Sequence, residues 1–170
     1  REEEKLARDI YLAMGEQWGM PIFENIASSE KRHMDAVLGL LDEYGIEDPV
    51  ANNGFGVFAN PELQNLYGEL LKQGSVSRSD ALVVGASIED LDIRDLREAL
   101  AATDNVDIER VLGNLENASL KHLQAFASQL ARNGIAYTPE YMDMEEYEGI
   151  LAKTQPGEHG QKGRGRRSAG

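Results

Sequence analysis

An all-α protein, built as a four-helix bundle with a long crossover between its second and third bundle helices, is predicted by three features of the 170-residue chain. Four segments repeat apolar residues at the 3.6-residue period of a helix, and none alternates at the two-residue period of a strand. The one long interval without periodicity lies mid-chain, where one antiparallel pair must be joined to the next. Acids and histidines interrupt the apolar stripes, and those interruptions carry the functional reading.

Residues 2–18 are strong helix formers, with Glu4, Ala7, Tyr11, Met14 and Trp18 recurring on one face. Gly19-Met20-Pro21 breaks this segment, and Pro21 is placed to open the second, which runs to about Tyr44 before Gly45 ends it. Its stripe reads Phe23, Ile26, Ala27, Glu30, His33, Met34, Val37 and Leu41. Glu30-Lys31-Arg32-His33 is thus a Glu-x-x-His whose two ends point where the apolar side chains point. A buried carboxylate without a partner is costly or takes up a proton, and a metal is the simplest relief.

From Gly45 to Ser75, Pro49, Asn52-Asn53-Gly54, Gly56 and Asn60-Pro61 dissolve the pattern around one helical piece, Glu62 to Gln73. Ser77 or Ser79 caps the third bundle segment, which extends to Leu100 with Ala81, Gly85, Ile88, Glu89, Asp92, Leu96 and Ala99 inward. After Thr103-Asp104-Asn105 the fourth runs from about Asp107 to Arg132, with Ile108, Val111, Leu112, Leu115, Ser119, His122, Phe126 and Leu130 inward. The bundle domain is therefore expected over residues 1–132 and an extension, docked through a short helix, over 133–153. A disordered basic tail is expected over 154–170. The tail carries a net charge of +3 and leaves -16 on the rest; His159 within it is assigned nothing.

Composition narrows the function. A net charge of -13 and a pI near 4.6 argue against nucleic-acid binding by the domain and make cations the better partners. No apolar run is long enough to span a bilayer. The absence of cysteine removes disulfides, thiolate zinc sites and iron-sulfur clusters, and leaves the compartment open, as does a chain beginning at Arg1. No phosphate loop, Gly-x-Ser-x-Gly or solenoid repeat is found.

Each bundle segment instead supplies candidate metal ligands: Glu4, with Glu2 and Glu3 as alternates if the register shifts; Glu30 and His33; Glu89 and Asp92; and His122. A second Glu-x-x-His is missing, because Ser119 stands three residues before His122. Glu116 lies about 120° away around the helix, so Asp92, one turn after Glu89, is the better replacement. Four carboxylates and two neutral imidazoles carry four negative charges, which two divalent ions neutralise, and this donor set suits iron or manganese. Singly, each group has a simpler account: Glu4 as a first-turn acid, His122 as a hydrogen-bonded core histidine, Asp92 paired with Arg94 or Arg97, Tyr11 as a core aromatic. Together their desolvation costs add, which favours a metal. The contrasting account is a non-catalytic acidic bundle serving metal storage or protein interaction.

Arg1 to Asp9 with Tyr11, Pro21-Ile22-Phe23 through Glu30-x-x-His33-Met34-Asp35-Ala36-Val37, Gly85-Ala86-x-Ile88-Glu89-Asp90-Leu91-Asp92-Ile93-x-Asp95-Leu96, and Asn114-Leu115 with Ser119-x-x-His122-Leu123 resemble the ferritin-like family catalogued as domain of unknown function 2202. The resemblance covers about Arg1 to Phe126. It implies kinship with rubrerythrin, in which a glutamate precedes a tyrosine by seven, as Glu4 precedes Tyr11, and a second carboxylate follows the first by three, as Asp92 follows Glu89. It further implies two iron ions, with manganese as the alternative, and ferroxidase, oxidase or peroxidase chemistry on dioxygen or peroxide with an electron donor not identified. Tyr11 is implied as an auxiliary hydrogen-bond donor or electron source. A homodimer is allowed, whereas a cage is not expected.

Overall fold

The computed structural model describes residues 1–153, in which six helices and no strand occur: α1 (Glu2–Trp18), α2 (Pro21–Glu43), α3 (Pro61–Gly74), α4 (Arg78–Ala101), α5 (Val106–Arg132) and α6 (Met144–Ala152). The basic tail anticipated from the sequence lies outside the described residues. Each boundary has a local cause. Gly19, at φ 61°, closes α1 by donating its N–H to the Gly15 carbonyl, and Pro21 then opens α2 after only two residues. Asn60, Ser77, Asn105 and Asp143 accept from first-turn amides of α3, α4, α5 and α6.

The principal packing pairs are α1 with α2 and α4 with α5; α2 against α5 and α1 against α4 join the two pairs. The rings of Tyr11, Phe23 and Phe126 meet at the junction with centroids 5.4–6.0 Å apart. Gly85 makes this contact possible, since a Cβ there would lie 2.4 Å from the Phe126 ring. Ala99, expected to face inward, is exposed, and Ile93 is fully buried instead.

The crossover is held by charges that the sequence reading passed over. Asp9, fully buried, accepts from Lys5 at 2.6 Å, from Arg8 and from the Gly56 amide at 2.9 Å. Glu2 accepts from the amides of Ala59 and Asn60. Lys5 also sits 4.3 Å above the Phe58 ring. α3 then packs on both α1 and α4. The extension after α5 is tied to α4 by Asp90, which accepts from the Tyr137 hydroxyl and the amides of Glu140 and Tyr141. Gln124 donates to the Ile150 carbonyl of α6 at 2.7 Å.

Candidate metal centre

Of the acids and histidines named from the sequence, Glu4, Glu30, His33, Glu89 and His122 lie close together where α1, α2, α4 and α5 meet. Glu4, Glu30 and His33 form one group, and Glu30, Glu89 and His122 another; within each, the ligand-type atoms all lie within 4.8 Å of one another. Glu30 belongs to both. Its Oε2 lies 2.7 Å from His33 Nδ1, and its Oε1 lies 2.9 Å from His122 Nδ1. Glu4 Oε2 approaches His33 Nδ1 at 3.0 Å, and Glu89 Oε2 approaches His122 Nδ1 at 3.4 Å. The two imidazoles face each other, ring centroids 5.8 Å apart.

This is a poor arrangement for hydrogen bonding alone. A ring nitrogen carries at most one proton, yet His33 Nδ1 faces two carboxylates. Glu30 Oε1 and His122 Nδ1 are buried and close, but neither has a hydrogen bond of good geometry among the described residues. Buried polar atoms are rarely left so. Carboxylate oxygens and a ring nitrogen converge in each group, and once the rings give up their protons this donor set fits a cation, so these residues pass as a metal-ligand set.

Electrostatics follow from burial and crowding. Burial pushes the Glu4 carboxyl up to about 7, His33 opposing and Glu30 adding to the rise. Glu89 is raised for the same first reason, with His122 opposing. Burial would raise Glu30 too, but the adjacent His122 and His33 outweigh it and bring that carboxyl down to about 2. Against their own burial, His33 and His122 are each raised to about 10 by the acids around them. Without metal, imidazolium cations therefore stand between the carboxylates.

Tyr11, fully buried, donates to Glu89 Oε1 at 2.6 Å. Asp92 belongs to neither ligand group. Its Oδ2 accepts from the Ser119 hydroxyl, and its carboxyl is pushed well up by burial, then by the charges of Glu4 and Glu89. Arg94 and Arg97, once candidate partners for Asp92, pair instead with Asp95 and with Glu116 and Glu146. Glu116 is thereby tied up at the surface, and Glu2 is committed to the crossover. One supporting residue was missed: Ser29 Oγ lies 3.4 Å from His33 Nε2. Its place four residues before His33 was the available signal. A hydroxyl there orients the ring so that Nδ1 faces the acids.

Among known proteins, residues 1–154 match the family described as "Uncharacterized protein domain (DUF2202)". The chain is 51% identical over 154 residues to "Uncharacterized protein MJ0754" of Methanocaldococcus jannaschii, covering 91% of this chain and 83% of that one. It superposes with a TM-score of 0.88 on the crystal structure titled "hypothetical protein MJ0754", at 52% identity and over 89% of this chain and 87% of that one.

Proposed function

The chain belongs to the DUF2202 family, and from that premise we propose that its four long helices are a ferritin-like bundle around a two-metal carboxylate centre acting as an oxidoreductase on dioxygen or peroxide. The observation that carries this reading is the shared Glu30 carboxylate, with one oxygen turned to each histidine and Oε1 left without a hydrogen bond. Glu4 and His33 would hold one ion and Glu89 and His122 the other, with Glu30, a member of both groups, available to each. Two ferrous ions supply one electron each, enough with two protons to take dioxygen to hydrogen peroxide, or hydrogen peroxide to water.

The chain's own residues perform the rest. Tyr11 donates to Glu89 Oε1 and so fixes which oxygen that carboxylate turns toward His122. Asp92, bonded to the Ser119 hydroxyl, is a reserve carboxylate beside the charges of Glu4 and Glu89. Its carboxyl, raised by burial, can hold a proton near the centre and release it as cations accumulate. The arrangement is asymmetric, since Ser119 stands where a second Glu-x-x-His would place its acid.

Anaerobic titration of the purified chain with ferrous ion tests the proposal. Two equivalents per chain are expected, and Glu30→Ala should abolish tight uptake of both, because both groups lose a ligand. Uptake near zero, or uptake indifferent to Glu30→Ala, would overturn it.

A further inference from the structure

A pocket of about 20 Å³ opens between α1, α3 and α4, room for one water-sized molecule. Ala7, Leu63, Leu66 and Ile88 line it. Glu3, exposed, and Asp95, partly exposed, mark its outer side. Its inner side is Asp92, which is bonded to the fully buried Ser119 and feels the charges of Glu4, Glu89 and Glu30. Ala7 lies about one turn after Glu4 on α1, and Asp92 about one turn after Glu89 on α4, so each shares a helix face with a candidate ligand. Asp92 is thus the pocket's link toward the candidate metal centre, whose ligand groups do not themselves line it, and α3, packed on both α1 and α4, roofs it.

Its chemistry selects by exclusion. A hydrated divalent cation is drawn to Glu3, Asp95 and Asp92 but would have to shed water against the leucine side chains between them. An anion such as superoxide meets the carboxylates of Glu3 and Asp95 on the way in. Hydrogen peroxide could bond to the carboxylates at either side but would go without hydrogen bonds along the apolar wall between them. A neutral, apolar diatomic meets none of these barriers. Resting on the two-metal reading above, we propose that this pocket is the port through which dioxygen reaches the centre, with Leu63 and Leu66 of the crossover helix setting its bore.

Dissolved dioxygen is paramagnetic, so methyl relaxation in the metal-free protein reports where it resides. The methyls of Leu63, Leu66 and Ile88 should relax several-fold faster under oxygen than those of Leu82 and Leu123, which are buried elsewhere in the core. Ala7→Leu, which fills the pocket, and Leu63→Phe, which narrows it from the half-buried side with less risk to folding, should remove that excess. In iron-loaded protein both should slow oxidation by dioxygen about tenfold, a barrier change of about 1.4 kcal/mol. Iron stoichiometry and the rate with hydrogen peroxide should stay near wild type. Pocket methyls relaxing no faster than Leu82 and Leu123 would overturn the proposal, as would an unchanged dioxygen rate in either folded, iron-binding variant. A chain that binds no iron sinks the two-metal reading, and with it the port's destination; iron binding without oxygen contact at the pocket sinks the port alone.

Discussion

Glu30 is the residue on which the candidate centre turns, and its protonation partners make a pH signature. His33 and His122 are raised from 6.5 to about 10 in the metal-free fold, so their stabilisation is complete below pH 6.5 and is lost as pH rises through 10. Glu4 acts in the same direction lower down: raised from 4.5 to about 7, it costs stability as pH rises through that interval. Glu30, lowered to about 2, contributes stability above 4.5 that is lost on acidification through 2. The urea midpoint of metal-free protein should therefore fall steadily from about pH 4.5 to 10, and a flat profile would contradict these pairings. Metal uptake needs neutral imidazoles, so it should release protons and tighten with pH over the same range, as calorimetry in buffers of different ionisation enthalpy would show. Tyr11→Phe should cost about 1–3 kcal/mol, because it strips a hydrogen bond from a buried carboxylate. The five side chains that converge, Glu4, Glu30, His33, Glu89 and His122, were legible as polar interruptions of apolar stripes. The hydrogen bond from Ser119 to Asp92 was not, because which oxygen a carboxylate offers, and to whom, is decided by side-chain rotamers across two helices.

Among the elements, α1 does more than carry Glu4. Its first turns anchor the crossover through Glu2, Lys5 and Asp9, and the Lys5–Asp9 pair is almost wholly shielded from water. Asp9→Asn removes the counter-charge while Lys5 stays buried, which should cost about 3–5 kcal/mol. The Gly56 amide, bonded to Asp9, should at the same time lose protection from hydrogen exchange. Unchanged stability would show that Lys5 can reach water. Gly85→Ala on α4 should cost about 1–3 kcal/mol by driving a methyl into the Phe126 ring, measured as a lowered urea midpoint at unchanged slope. Element positions were readable to within a residue or so because proline, glycine and capping side chains mark nearly every end. The anchoring charges were not, since Asp9 finds its backbone partner 47 residues away in a loop with no periodicity to betray it.

Taken whole, the chain gathers acids faster than bases, and in the metal-free state its centre holds them apart only with imidazolium. Saturation with ferrous or manganous ion at about a thousand times Kd should add about 4 kcal/mol of stability. That appears as a raised melting temperature in wild type and none in Glu30→Ala; an equal rise in both would place the metal elsewhere. The all-helical plan was visible in sequence because periodicity is a local property, whereas the meeting of four helices at one carboxylate depends on packing that no single segment encodes. The docked crossover has one more consequence. Glu4 sits between Glu2 and Lys5, the residues that grip the loop, so the same helical turn that presents this candidate ligand also makes a long-range closure. Closures of this kind come late in folding, after local helices have formed. A captured ion would then act as a proofreader, distinguishing finished chains from nearly finished ones and holding the former shut.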